Sequence, residues 1–380
     1  MHTRRAFIIL GGLGLAGAAA YQFGLRPMLY GKEAEVGFTL TEDELAAAHA
    51  FMAAHPIIDS HAHQGRTFLK GAENLSSKIW LYKNLGGTFE DSTLADMKAG
   101  GVDGAAFNGV ADIQLLTLGK TGLKAEREFQ PGEAWKSYQR QIANLRALAD
   151  SGKVRICLNT ADVLAAKKAG QRGMILAMEG ADFIERDLMR VDDLARDGVR
   201  MVTLVHYHNS TIGDIMTGPV GNRGLTDFGR KLVPALNKAG ITIDLSHASE
   251  KTARGVLSIT SKPVVLTHTH IKTPQLDNPR FVSAELARAV ADTGGYIGAW
   301  PAGIGITTLA QFIDRIDFLV ETVGEDAVAM GSDMDANYKP VLETYRKMPL
   351  VVGALMKRGY STQTLAKIMG GNVLRVLDSA

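Results

Sequence analysis

Seven of the ten histidines follow short apolar runs: His61 and His63, His206 and His208, His247, and His268 with His270. Glu179 and Asp333 close two more runs of the same kind. Imidazole nitrogen and carboxylate oxygen are donors that zinc takes. An unligated carboxylate beside them suits a general base. In an extended segment residues i and i+2 point to one side, so His61-Ala62-His63 can present two rings to one ion. Asp59 has two readings: it fixes an imidazole tautomer from behind, or it is an ordinary acceptor at a strand end. His208 and His270 are expected to hydrogen-bond behind the ligands or along the pocket wall. His2, His49 and His55 read as surface or core residues.

These residues need a frame that brings them together. Eight candidate core strands recur along the chain: Ile57–Asp59, Gly104–Phe107, Met174–Met178, Met201–Val205, Ile241–Leu245, Val264–Thr267, Tyr296–Ala299 and Ala327–Met330. Helical patterns separate them, among them Glu133–Ala149, Leu225–Ala239, Ser249–Ile259, Ser283–Thr293 and Thr308–Val323. Many helices end at glycine, at Gly100, Gly170, Gly198, Gly240, Gly294 and Gly324. Helix, glycine, short apolar strand, polar residue is the unit of a parallel α/β fold. Eight units favour a closed (β/α)8 TIM-type barrel over an open doubly wound sheet. Val154–Leu158 reads as a ninth, peripheral strand, and 341–377 as helices outside the barrel. Six of the eight strand ends then carry a candidate ligand or acid/base. In a parallel barrel all of them open on one face, the C-terminal mouth where barrel active sites lie. The expectation is a metal centre there.

The chain has 380 residues, 46% hydrophobic and 22% charged, with 42 basic against 40 acidic side chains. Without Arg4 and Arg5 the charges balance, so nothing suggests a nucleic-acid surface. Cys157 is the single cysteine. It excludes an intramolecular disulfide and reads as an inert buried thiol. Thr3-Arg4-Arg5 precedes an apolar, Gly/Ala-rich stretch to Ala20. This resembles a twin-arginine export signal, short for a membrane span, which needs about 20 residues. Ala18-Ala19-Ala20 offers a cleavage site; the alternative is an uncleaved anchor. The expected organisation is a signal at 1–20, a tether at 21–40 and one barrel domain at 41–380, placing the protein in the periplasm or outside the cell. Thr41 to Glu44 has the spacing of a capping box.

At the level of motifs the chain resembles a known family. Asp59-Ser-His-Ala-His63 is similar to the opening motif of the amidohydrolase superfamily. Ala177–Gly180, Val202–His206, Gly224–Gly229, Ile243–Ser249, Val265–His268, Asn278–Arg280, Gly331–Asp335 and Gly371–Val376 look more specifically like the membrane (renal) dipeptidases, peptidase family M19. The matches run in family order over about 55–377. The resemblance implies a two-zinc metalloprotease that hydrolyses dipeptides, and homodimers. It implies that His61 and His63 hold one ion, His247 and His268 the other, and that Glu179 bridges them. His206 would bind substrate and polarise the scissile carbonyl, and Arg280 would take the substrate carboxylate. Asp333 would bond the metal-bridging water and shuttle its proton.

One position departs from the pattern: the family has aspartate where this chain has His63. The change removes a negative charge from the site. It keeps a second possibility open, another amide, lactam or ester cleaved by the same fold and metal. A non-catalytic metal-binding envelope protein is a third. Asp333 and Arg280 argue against it, since neither is needed merely to hold zinc.

Overall fold

In the computed structural model, residues 33–119, 122–218 and 223–380 are described. The signal expected at 1–20 and residues 21–32 of the expected tether lie outside them. Residues just before the first described helix are bonded to the barrel: the Leu309 and Ala310 N–H groups donate to the Glu35 and Val36 carbonyls, both at 2.9 Å. That helix, Glu42–Ala54, opens with the expected capping box. The Glu44 N–H donates to Thr41 Oγ1 at 3.2 Å, and the Thr41 N–H donates to Glu44 Oε2 at 2.8 Å.

The strands, in chain order, are β1 (Ile58–Ala62), β2 (Gly104–Val110), β3 (Leu116–Gly119), β4 (Gly122–Ala125), β5 (Val154–Ile156), β6 (Arg172–Glu179), β7 (Val199–Thr203), β8 (Thr242–Asp244), β9 (Val264–Thr269), β10 (Ile297–Ala299) and β11 (Val328–Met330). Eight of them form a parallel ring in the order β2-β1-β11-β10-β9-β8-β7-β6. Pairing of β2 with β6, from Gly104↔Gly173 to Val110↔Glu179, closes it. Helices cover the outside and side chains fill the inside, so the strands are buried on both faces. That is why they read as continuous Val, Ile, Ala and Met runs rather than as alternation.

The eight expected strands are these eight, with the ends shifted. β5 is the ninth, pairing with Arg172–Met174 at the start of β6, while β7 pairs from Leu176 onward. Helices expected to begin at Ser249, Ser283 and Thr308 begin one residue later. Those hydroxyls are N-caps, accepting from the N–H groups of Thr252, Leu286 and Gln311. Gly198 and Gly324 end helices at φ +79° and +82°, a region open to glycine. The β3–β4 hairpin was not expected; Ser76 Oγ ties it to the helix Ser77–Gly86 by donating to the Leu116 carbonyl at 2.7 Å. The C-terminal helices Met348–Lys357, Thr362–Ala366 and Asn372–Ser379 lie outside the ring, the first against Glu42–Ala54. Among the described residues no helix is long and apolar enough to cross a membrane.

Candidate active site

Glu179 is the last residue of β6 and sits buried in the barrel mouth. Five imidazoles surround its carboxylate. Oε1 lies 3.5 Å from His61 Nε2, 2.9 Å from His247 Nε2 and 3.4 Å from His268 Nε2. Oε2 lies 3.3 Å from His63 Nε2 and 3.2 Å from His206 Nε2. The rings also meet in pairs, His61 and His63 Nε2 at 3.3 Å, His247 and His268 Nε2 at 3.1 Å. Three overlapping triads have metal-ligating atoms within 4.8 Å of one another: His61, Glu179 and His268; His61, His63 and Asp333; Glu179, His206 and His247. The expected ligands therefore form one continuous nest.

What lies behind the rings determines what they can offer. His63 Nδ1 faces the Asn108 carbonyl at 3.1 Å, so Nδ1 carries a proton, and the lone pair on Nε2 is available to a metal only once the ring gives up its second proton. His61 and His268 both turn Nδ1 to Thr267 Oγ1, each at 3.0 Å. His247 Nδ1 is buried without a partner among the described residues. Among the described residues Asp59 makes no hydrogen bond to an imidazole ring. It accepts from the His61 and Ser332 N–H groups, the Ser332 hydroxyl and the Tyr345 hydroxyl, which fits the strand-end reading.

Burial works against charge on every group here. It holds His61 down at about 3 and holds His247 and His268 well below the ordinary imidazole value. Burial alone would raise the Glu179 carboxyl, but His206, His61 and His247 hold it well below the carboxylate range. His63 differs. Burial opposes its charge, yet Asp333 and Glu179 outweigh that and push it up to about 10. Burial raises the Asp333 carboxyl, with His63 pulling the other way.

Asp333 faces the nest from a left-handed backbone, φ +54°, with its N–H on the His61 carbonyl at 2.8 Å. Oδ1 is 3.4 Å from His63 Nε2, and Oδ2 accepts from Trp300 Nε1 at 3.3 Å. His206 Nδ1 is held by Asp112 Oδ1 at 2.7 Å. Arg280 lies along the nest. Nη1 donates to the Ser246 carbonyl at 2.6 Å, and Nη2 is 3.0 Å from both His247 and His268 Nε2.

Two expectations need correction. His208 hydrogen-bonds none of the candidate ligands, which removes the reading that puts it behind one of them. It is clasped at 2.7 Å on each side by Asp182 and Glu128, because β7 ends at Thr203 and the same-side rule lapses beyond it. His270 does not wall the pocket with hydrogen bonds. It is a core ring against Phe281 and Phe318, since the chain turns at the end of β9 to bridge Ile271 with Val282. Four residues that the sequence did not single out join the site: Asn108, Asp112, Trp300 and Thr267. The two strand ends with no assigned chemistry, those of β2 and β10, turn out to supply Asp112 and Trp300.

The comparisons with known proteins agree with this geometry. A model of the membrane dipeptidase family, peptidase family M19, matches residues 45–380. Dipeptidase verJ of Clonostachys rogersoniana is 26% identical over 352 residues, 90% of this chain and 88% of that one. Dipeptidase 3 of Macaca fascicularis is 24% identical over 357 residues, 90% of this chain and 69% of its own length. The fold is shared with a Rhodobacter sphaeroides metallopeptidase crystallised with a phosphinate mimic of L-Ala-D-Ala (TM-score 0.71, 22% identity, covering 86% of this chain and 99% of that one). A buried nest of histidines on one carboxylate fits a metallopeptidase. With the family match spanning the whole barrel, this chain belongs to the membrane dipeptidases, the metallo-dipeptidases of peptidase family M19.

Proposed function

We propose that the protein is a zinc dipeptidase with two ions at the barrel mouth, His61 and His63 on one, His247 and His268 on the other, and Glu179 between them. The observation that carries this is the convergence on Glu179, whose two oxygens each face histidine nitrogens at 2.9 to 3.5 Å. The donors fit: buried imidazoles and a carboxylate suit zinc. Two such ions, when bound, make a shared water acidic near neutral pH and draw charge from an amide carbonyl.

The remaining work falls to side chains. Asp333 accepts the attacking water's proton and passes it to the leaving nitrogen, while Trp300 fixes its Oδ2. His206, whose protonation Asp112 and Glu179 favour against burial, donates from Nε2 to the carbonyl oxygen as that atom gains charge. The Arg280 guanidinium turns from the rings to the substrate's carboxylate, which its planar fork matches. A carboxylate clamp this near the reacting centre selects short peptides.

His63 supports a second reading, another amide, lactam or ester at the same centre, because one negative charge fewer leaves the ions more electrophilic. We extend the proposal to twin-arginine export, on Arg4-Arg5 and the apolar stretch to Ala20, and to homodimers; fractionation of an R4K/R5K variant and sedimentation test these. The central test is hydrolysis of dipeptides, amidated dipeptides, lactams and esters, with zinc and after chelation. Full activity without metal overturns the metal reading. Failure on every dipeptide, with turnover of another class, overturns the substrate.

A further inference from the structure

Beneath the nest, four buried side chains form a hub that the reaction described above does not use. Asp244 ends β8 and faces five donors. Thr203 Oγ1 donates to Oδ2 at 2.6 Å and Thr267 Oγ1 to the same oxygen at 2.8 Å. The Ser246 N–H, the Ser246 hydroxyl and the Thr267 N–H reach Oδ1 at 3.0, 2.5 and 3.0 Å. Two of these are backbone N–H groups, which fix Oδ1 as an acceptor, and in its ionised form Asp244 accepts from the three hydroxyls as well.

That settles the hydroxyl of Thr267. It has one proton and two acceptor lone pairs. The proton goes to Asp244. The Ser246 hydroxyl, 3.1 Å away, has given its own proton to Asp244 as well. Both lone pairs of Thr267 Oγ1 are left for His61 Nδ1 and His268 Nδ1, each at 3.0 Å. A hydroxyl that can only accept forces each ring to carry its proton on Nδ1 and its lone pair on Nε2, toward Glu179. The pivot is rigid. Ser60 Oγ donates to the Thr267 carbonyl at 2.9 Å, and a Cβ at Gly298 or Gly331 would fall 1.8 Å from that same oxygen. Asp244, Thr203, Ser246 and Thr267 are all buried.

We propose that Thr267 is a positioning residue whose single hydroxyl oxygen fixes the tautomer and angle of His61 and His268 together, so that both metal positions are built on one pivot. This rests on the two-ion reading, in which those rings serve different ions. It makes the two sites interdependent: loosening Thr267 weakens both.

The test compares the parent protein with Thr267→Val, which keeps the shape and loses the hydroxyl, and Thr267→Ser, which keeps the hydroxyl. Zinc affinity at each position is read by competition with a chelator, and imidazole tautomers by nitrogen NMR of the parent with and without zinc. T267V is expected to lose about 10- to 100-fold in affinity at both positions, the usual effect of removing a group behind a metal ligand. T267S is expected to bind like the parent, and His61 and His268 to carry the proton on Nδ1. A T267V protein that binds both ions normally, or loses only one, overturns the proposal. So does a T267S as impaired as T267V. Should T267V fail to fold, an Nε2–H tautomer at His61 or His268 in the parent still overturns it. A parent that binds no zinc, with both rings Nδ1-protonated, instead overturns the two-ion reading and leaves the tautomer pivot standing.

Discussion

His63 Nε2 lies 3.4 Å from Asp333 Oδ1, and Glu179 Oε2 is 3.3 Å away on its other side. Without metal, these two carboxylates favour the protonated ring at this position, where the family resemblance implies an aspartate. An aspartate there would gather three carboxylates in one buried nest. His63→Asp should lower the melting temperature of the metal-free protein, since breaking a buried ion pair costs about 3–5 kcal/mol. It should also enlarge the stabilisation on adding zinc. Melting curves in chelator and in zinc read both effects. An unchanged metal-free curve would show that His63 is neutral in the folded chain.

Asp333→Asn isolates the proton transfer. Asparagine tolerates the left-handed backbone at φ +54° and keeps the Trp300 contact, so the fold should hold. Loss of the base should cost about 10²- to 10⁴-fold in kcat with zinc content unchanged. A parallel fall in zinc would make Asp333 a ligand of the His61–His63 ion.

Arg280→Ala should separate two roles. Loss of a charge-assisted contact to a carboxylate, about 1.5–3 kcal/mol, should raise KM for dipeptides and spare C-terminally amidated ones. The guanidinium also lies 3.0 Å from the Nε2 atoms of His247 and His268, so removing its charge should tighten zinc there. Equal losses on acid and amide substrates would make the arginine a structural residue.

His208 gives a pH signature outside the metal nest. Burial opposes its protonation, but Asp182 and Glu128 outweigh it and push it up to about 9. A pKa raised above the unfolded value stabilises the fold fully below about 6.5, and that stability is lost as pH rises through about 9. The stability gap between the parent and His208→Asn, from urea unfolding, should be wide at pH 6 and shrink by pH 10. A gap constant over that range would mean the clasp is uncharged.

Much of this was readable because each barrel unit repeats one signal, glycine and then a short apolar run. The strand ends were read short at Asp59 and Met178, since His61 and Glu179 look like exits from a strand although they still lie in one. The β3–β4 hairpin escaped notice because two four-residue strands are marginal alone and stand here only by packing on Ser77–Gly86. The ligands were legible as residue types that are rarely buried. Thr267, Asp112 and Trp300 were not, because a hydroxyl, a loop carboxylate and an indole acquire meaning only from what faces them. His208 and His270 misled for the opposite reason, since spacing is informative only while the chain stays extended.

The ring is completed by β2 meeting β6, which ends in Glu179, and the donors around that carboxylate come from β1 and β9 and from the segments after β1, β7 and β8. No single segment among the described residues supplies all of these donors. Every ion captured therefore favours the folded chain, by about 2.7 kcal/mol for an ion at a hundred times its Kd. If zinc fills the proposed sites, the consequence in a cell short of it is one of abundance as much as of rate: fewer molecules would stay folded long enough to escape proteolysis. The amount of this protein should follow the metal supply even where its synthesis does not change.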